Sequence, residues 1–594
     1  MRKLFFLMLL AILLGVALAG GGYLLLRHQT PTWGSAKILT LTLDAPLEEQ
    51  ALEPTLPFFG GEQPASVALL YRGFLAARTD PTVIGVALHI HDASFGLAKA
   101  QELRRQIAEL DRAGKPVRCY LETAGEGGNG TLEYYLASAC SSIALAPAGE
   151  INLLGLYADS PFLRGGLDKL RIEPSFLTAG EFKSAGEIFT EVRHSPKAKV
   201  ALDALLDSFY GQIVDGIASA REQDAATVRE WIAAAPLSAA AALEKGLVDE
   251  LSYPDEFRAG LEKPADGGDG TVELADFLDY ARRGSGNLPG GKRVAVLFAQ
   301  GAIVRGGGGS DPFASEMLLG SADMAAELHD LAEDDSVVAV VLRIDSPGGS
   351  ALASDLILRE VELLRESKPV VVSMSDVAAS GGYYIAARAT RIVAEPATIT
   401  GSIGVVTGKL ATGRFQEELL GITHDPLQRG ANADLYSALK PFDERQTALM
   451  RNRMDDIYGR FLDHVAAGRK LDRAAVEAVA GGRVWTGNDA LAVGLVDELG
   501  GLDRAVALAR EEAGIPTADK LPLVYLPKAP TLLDLISRES GSGLEAGLLG
   551  LVSDRLEARL EARLRARYGA LVGLGRPRLE LELDAGWQAL TRGL

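Results

Sequence analysis

The chain repeats itself. The segment Thr82-Val83-Ile84-Gly85-Val86-Ala87-Leu88-His89-Ile90 is echoed by Ser336-Val337-Val338-Ala339-Val340-Val341-Leu342-Arg343-Ile344, 254 positions later. Lys115-Pro116-Val117 returns as Lys368-Pro369-Val370 after 253 positions, and Tyr134-Tyr135-Leu136-Ala137 as Tyr383-Tyr384-Ile385-Ala386 after 249. The hexapeptide beginning at Gly246 recurs unchanged at Gly494, 248 positions on. The order is kept and the spacing drifts by only a few residues, which marks a tandem duplication. The two halves must therefore share one fold.

That fold is α/β. Apolar runs at 294–298, 337–344 and 370–374 alternate with helix-like stretches at 351–366 and 381–389. Strands that are apolar on both faces need helices on both sides, as in a parallel sheet. Breaker-rich stretches at 264–270 and 284–291 enclose a short helical piece at 272–283 and read as linker. The expected layout is a first repeat at 36–263, a linker at 264–293, a second repeat at 294–513 and a tail at 514–594.

The amino terminus adds a different element. Residues 4–26 carry no charge and would span about 34 Å as a helix, enough for a bilayer core. Arg2 and Lys3 keep residues 1–3 in the cytoplasm and put the remaining chain on the outer side. Ala17-Leu18-Ala19 also suits a signal-peptide cleavage site. The apolar run continues past it through Tyr23-Leu24-Leu25-Leu26, which favours an uncleaved single-pass anchor. In the tail, Leu556, Leu560 and Leu564 recur among Arg555, Arg559, Arg563, Arg565 and Arg567. Such an amphipathic basic helix suits packing on its own domain or another subunit, and also a membrane surface.

Composition narrows the chemistry. The 594 residues carry 60 Lys+Arg against 79 Asp+Glu, a net charge of −19, which argues against a nucleic-acid partner. Two cysteines, Cys119 and Cys140, exclude a disulfide framework and a four-cysteine zinc site, and read as ordinary buried thiols. Seven histidines spread over the chain, with no His-x-x-x-His pair, make a metal centre a poor expectation, and no cofactor is expected.

Two loops of the second half stand out. Asp345-Ser346-Pro347-Gly348-Gly349-Ser350 and Ala378-Ala379-Ser380-Gly381-Gly382-Tyr383-Tyr384 each follow a strand and enter a helix. Ser380 would sit at a helix start, where unpaired N–H groups point outward. The amide of Gly381, with that of Gly348 or Gly349, could bind a developing oxyanion. Taken singly, a serine cap and a glycine turn are common structural devices. A serine nucleophile needs a base, and neither loop holds a histidine, although His424 or His464 could approach in space. A lysine serves if burial favours its neutral amine.

The repeat locates such a lysine. Leu177-Thr178-Ala179-Gly180-Glu181-Phe182-Lys183 aligns with Leu427-Gln428-Arg429-Gly430-Ala431-Asn432-Ala433 at an offset of 250. Lys183 thus faces Ala433, while Ser380, Gly381 and Gly382 face Thr131, Leu132 and Glu133, and Gly348 and Gly349 face Ser94 and Phe95. Each half holds what the other lacks. A lone lysine is usually a solvated surface residue, so the complementarity is what singles out Lys183.

The anchor, residues 345–350 and 378–384, Thr400-Gly401-Ser402-Ile403-Gly404-Val405, Val484-Trp485-Thr486-Gly487 and both Gly-Leu-Val-Asp-Glu-Leu copies resemble one known family. It is the long form of signal peptide peptidase A, or protease IV, a membrane-anchored serine peptidase family. Gly180-Glu181-Phe182-Lys183-Ser184-Ala185 is similar to its lysine motif. The resemblance implies Ser380 as nucleophile, Lys183 as general base, and duplicated modules of the Clp-protease/crotonase type. It also implies a homotetramer on the outer, periplasmic face of the inner membrane that degrades released signal peptides and other apolar peptides. Two other classes fit parts of the pattern: a crotonase-like acyl-CoA enzyme and a non-catalytic membrane scaffold.

Overall fold

The computed structural model describes residues 37–44, 46–50, 65–261, 270–284, 291–310, 317–516 and 521–527. The expected anchor at 4–26 and the amphipathic stretch at 555–567 lie outside them. Among the described residues no helix is long and apolar enough to cross a membrane.

The duplication is visible strand by strand. The first sheet runs in the order Glu250–Leu251, Ser142–Leu145, Val117–Leu121, Val83–Ile90, Lys37–Leu43 and Thr271–Glu273. The second sheet runs Glu498–Leu499, Arg391–Ala394, Val370–Ala379, Val337–Ser346, Arg293–Gln300 and Leu523–Leu526 along the matching path. All these pairings are parallel. The apolar runs explain this: Val340, Val341, Leu342, Val370, Val371 and Val372 are fully buried, so helices must cover both faces.

Several expected elements differ at their ends. The strand expected at 370–374 continues to Ala379, because its later residues pair with Ser346 and with the strand Ile399–Gly401. The helix expected at 381–389 stops at Ala386. Residues 272–283 are not helical throughout: Thr271–Glu273 is an edge strand beside Lys37–Leu43, and the helix Leu274–Gly284 follows. Leu274 and Phe277 are buried in the first core, so this stretch packs as part of the first repeat's fold.

The two sheets meet at a charged junction. The first-repeat helix Leu97–Arg112 lies against the second sheet. Arg343, on a central strand, is fully buried and donates to Glu49 at 2.8 Å, Glu102 at 2.7 Å, Ser373 at 2.9 Å and Ser375 at 3.0 Å. Lys99 is buried between Asp345 at 2.8 Å, Glu49 at 3.4 Å and Asp376 at 3.7 Å. Arg105 is bidentate to Glu395 and also reaches Asp503 at 3.0 Å. An ion pair this deep does little for net stability, but removing one member leaves a buried charge uncompensated.

A second link is an antiparallel ribbon. Glu173–Ala179 from the first repeat pairs with Val405–Ala411 from the second, in register from Glu173 opposite Ala411 to Ala179 opposite Val405. One strand comes from each half.

Candidate active site

Ser380 closes the strand Val370–Ala379 and precedes the helix Gly381–Ala386. Its backbone takes φ 53° and ψ −115°, a conformation that non-glycine residues adopt only when their surroundings enforce it. The enforcing contacts are on each side: its N–H donates to Gly401 O at 2.9 Å, and its carbonyl accepts from Tyr384 N at 2.8 Å. The hydroxyl makes no helix-capping bond. The common structural use of a serine at this place is therefore not the one adopted.

Lys183 occupies that hydroxyl instead. Its Nζ lies 3.0 Å from Ser380 Oγ, 2.9 Å from Ser402 Oγ and 3.2 Å from the Ser402 carbonyl. The ribbon explains how the lysine arrives. After Ala179 the chain turns at Gly180, at φ 111°, and Phe182 N donates to Gly481 O at 2.7 Å, which fixes the lysine loop against the second repeat. The side chain is half-buried.

The relic of the same turn is at the aligned position. Lys183 N donates to Gly180 O at 3.2 Å, and Ala433 N donates to Gly430 O at 3.3 Å. In the first repeat, Thr131 donates its hydroxyl proton to Asn129 Oδ1 at 2.7 Å and accepts from Gly155 N at 2.9 Å. Alanine at 433 has no amine to offer, so the contact between Lys183 and Ser380 draws one residue from each half.

The glycine loop lies beside the serine. Ile303 N donates to Gly348 O at 2.7 Å and Ile303 O accepts from Ser350 N at 2.8 Å, so the bridge leaves Gly349's own N–H turned to the opposite side. That amide nitrogen sits 3.1 Å from where a Cβ on Gly381 would stand. Gly349 must be glycine: its φ is 147°, and a Cβ would approach Ile303 O to 2.3 Å. Gly381 opens its helix, so its amide has no intrahelical acceptor. Gly348 differs, since its amide donates to Ser346 Oγ at 3.2 Å.

The histidines are elsewhere. His424 is hydrogen-bonded to Gln416 at 2.7 Å, and His464 lies 3.6 Å from Asp355 and against the Tyr384 ring. Cys119 and Cys140 are free and buried. Ser402, within the motif at 400–405, carries no expected role from the sequence. Its φ of 50° and its bond from N to Arg483 O at 2.8 Å hold it under the lysine.

Known proteins are similar to this chain in sequence. The family model described as Peptidase family S49 matches residues 109–266 and again 362–516, one copy in each repeat. Serine protease SPPA, chloroplastic, of Arabidopsis thaliana is 35% identical over 530 residues, covering 87% of this chain and 76% of its own. Protease 4 of Haemophilus influenzae is 32% identical over 73% of this chain and 71% of its own. Protease 4 of Salmonella typhi is 31% identical over 81% and 77%. With two family domains and relatives aligned across most of its length, the chain belongs to peptidase family S49 and is a serine peptidase.

Proposed function

We propose that this chain is a membrane-anchored endopeptidase in which Ser380 is the nucleophile and Lys183 its general base. The observation that carries the reading is the 3.0 Å approach of Lys183 Nζ to Ser380 Oγ, across the join of the two repeats. Neutral Lys183 takes the hydroxyl proton as Ser380 Oγ attacks the scissile carbonyl. The amides of Gly349 and Gly381 bind the oxyanion, while Gly348 shapes the loop, its own amide being engaged by Ser346. Collapse breaks the C–N bond, and the ammonium of Lys183 returns its proton to the leaving amine. Water, deprotonated by Lys183, then attacks the acyl ester, and Lys183 gives that proton to Ser380 Oγ as the C–O bond breaks and the acid leaves. Ser402 fixes the lysine with its hydroxyl and carbonyl throughout.

The substrates are released signal peptides and other apolar peptides, held extended against backbone edges beside the serine. Residues 4–26 anchor the chain in the inner membrane, with the catalytic part outside the cytoplasm, and the working form is a homotetramer. Full-length protein in detergent micelles tests the reading with an apolar signal-like peptide and a fluorophosphonate probe. Ser380→Ala should lose both cleavage and labelling. Lys183→Ala and Lys183→Arg should both fail to turn over, because an arginine does not give up its proton near neutral pH. Full turnover by Lys183→Ala would remove the dyad.

A further inference from the structure

Polar contacts that serve the fold occur twice in this chain. Tyr134 and Tyr383 each donate a phenol proton to a leucine carbonyl, Leu247 O and Leu495 O, both at 2.9 Å. Asp249 and Asp497 accept from Ile143 N and Ile392 N, both at 2.7 Å. Lys115 and Lys368 donate to Asp80 O and Asp334 O, each ahead of an apolar strand. A duplicated module keeps such contacts in both copies because each copy needs them to fold.

One buried cluster breaks this rule. Lys99 faces Ala353 at an offset of 254, Asp345 faces His91 at the same offset, and Asp376 faces Thr123 at 253. The lysine is present only in the first half and the two carboxylates only in the second, as with Lys183 and Ser380. Lys99 Nζ lies 2.8 Å from Asp345 Oδ2, 3.0 Å from Leu47 O, 3.4 Å from Glu49 Oε1 and 3.7 Å from Asp376 Oδ2. Burial alone would lower its pKa, but the charges of Asp345, Glu49 and Asp376 outweigh that and raise it. Lys99 is therefore an ammonium at neutral pH and is no rival to Lys183 as a base.

The two carboxylates sit at the roots of the serine and glycine loops. Asp345 stands immediately before Ser346-Pro347-Gly348-Gly349, and Asp376 four residues before Ser380. The strands that carry them pair regularly up to Ile344 and Met374, lose register, and meet again with Ser346 opposite Ala378. Asp345 bridges that gap with its side chain: Oδ1 accepts from Val377 N at 3.2 Å while Oδ2 holds Lys99. Asp376 Oδ1 and Oδ2 accept from Lys99 N and Gly96 N, both at 2.9 Å. A carboxylate of the second repeat thus caps the first-repeat helix Leu97–Arg112. Gly96 leaves the room for it, since a Cβ there would stand 2.4 Å from the Asp376 carboxyl carbon. One lysine ties together the glycine loop, the serine strand and a helix of the repeat that delivers Lys183. Such a cluster adds little net stability, but any displacement that parts its members strands a buried charge.

We propose that Lys99 is a positioning residue for the peptidase reaction: through Asp345 and Asp376 it fixes the glycine loop and Ser380 relative to the lysine loop of the first repeat. The inference rests on the Ser380–Lys183 reading of the proposed function and adds to it a residue that acts through others. A misplacement of about 1 Å costs a reaction on the order of 100-fold, so loss of the clamp shows in kcat and leaves peptide binding in place.

Full-length protein in detergent micelles, cleaving an apolar signal-like peptide, provides the test. Lys99→Met keeps the length of the side chain and removes its charge. Its kcat, per folded molecule counted by near-ultraviolet circular dichroism, should fall about 10- to 100-fold with KM within about 3-fold of wild type. An unaltered kcat overturns the proposal. Lys99→Met also strands buried carboxylates and loses stability. Adding Glu49→Gln to it restores the charge balance, so the urea midpoint should move back toward wild type while kcat stays low. A kcat that recovers with the midpoint means that Lys99 acts on stability alone, and overturns the proposal. Asp345→Asn completes a double-mutant cycle with Lys99→Met: the two losses in kcat should overlap, the double variant being no slower than the slower single one. Losses that multiply mean separate roles, which overturns it. Labelling of wild-type Ser380 by a fluorophosphonate is followed in parallel. No labelling and no cleavage defeats the proposed function itself, whereas labelling and cleavage with an unaltered Lys99→Met defeats this inference alone.

Discussion

Lys183 Nζ lies 2.9 Å from Ser402 Oγ, as close to that hydroxyl as to the one on Ser380 at 3.0 Å. The lysine amine is thus held by two serines of the second repeat while its backbone belongs to the first. Ser402→Ala should loosen the hold on the lysine amine, so kcat falls about 10- to 100-fold with KM little changed. Steady-state kinetics check this. Unaltered kcat would mean that the Ser402 carbonyl suffices to place the amine.

The glycine loop makes a sharper demand. Gly349→Ala adds a Cβ against Ile303 O at a φ of 147°. The loop must move, and its amide leaves the position beside Gly381. We expect kcat to fall about 100- to 1,000-fold, the scale of losing one oxyanion donor, with secondary structure by circular dichroism unchanged.

The junction charges govern stability. Arg343→Met would strip Glu49 and Glu102 of their shared partner in a fully buried site. The expected cost is about 3–5 kcal/mol, read from the urea midpoint of the full chain. Adding Glu49→Gln and Glu102→Gln to the same protein should recover a large part of it, because no buried charge is then left alone.

Two carboxyls of that junction titrate in opposite senses. Burial would raise Glu49, but the Arg343 and Lys99 charges outweigh it and bring its pKa down to about 2. It supports the fold above the usual carboxylate range and loses that support only as the pH falls toward 2. Asp376 is pushed up to about 6 by burial and by the Asp345 charge, against the pull of Lys99. Its raised value means the folded state holds the proton more tightly, so acidification from pH 6 toward 4 favours folding at this residue. Measured against Asp376→Asn, the wild type should gain on the order of 2 kcal/mol between pH 7 and pH 4. A wild type that instead loses ground to the variant over this range would place the Asp376 proton elsewhere.

Much of this protein was legible in its sequence, for a physical reason. Duplication repeats whole elements, so the offset between His89 and Arg343 predicted matching strands, and the continuous apolar runs demanded a buried parallel sheet. The complementary losses at Thr131 and Ala433 single out Ser380 and Lys183 from sequence alone. What sequence could not supply depends on contacts between residues far apart in the chain. The ribbon of Glu173–Ala179 with Val405–Ala411 brings the lysine loop to the serine, and neither strand shows a pattern that names its partner. Ser402, at a φ of 50°, meets Lys183 Nζ only in the packed structure. The carboxylate partners of Arg343 come from positions 49 and 102, which nothing in its own strand indicates. Local periodicity encodes which face of an element is apolar. Only the packed structure decides which charges and hydroxyls those faces bring together.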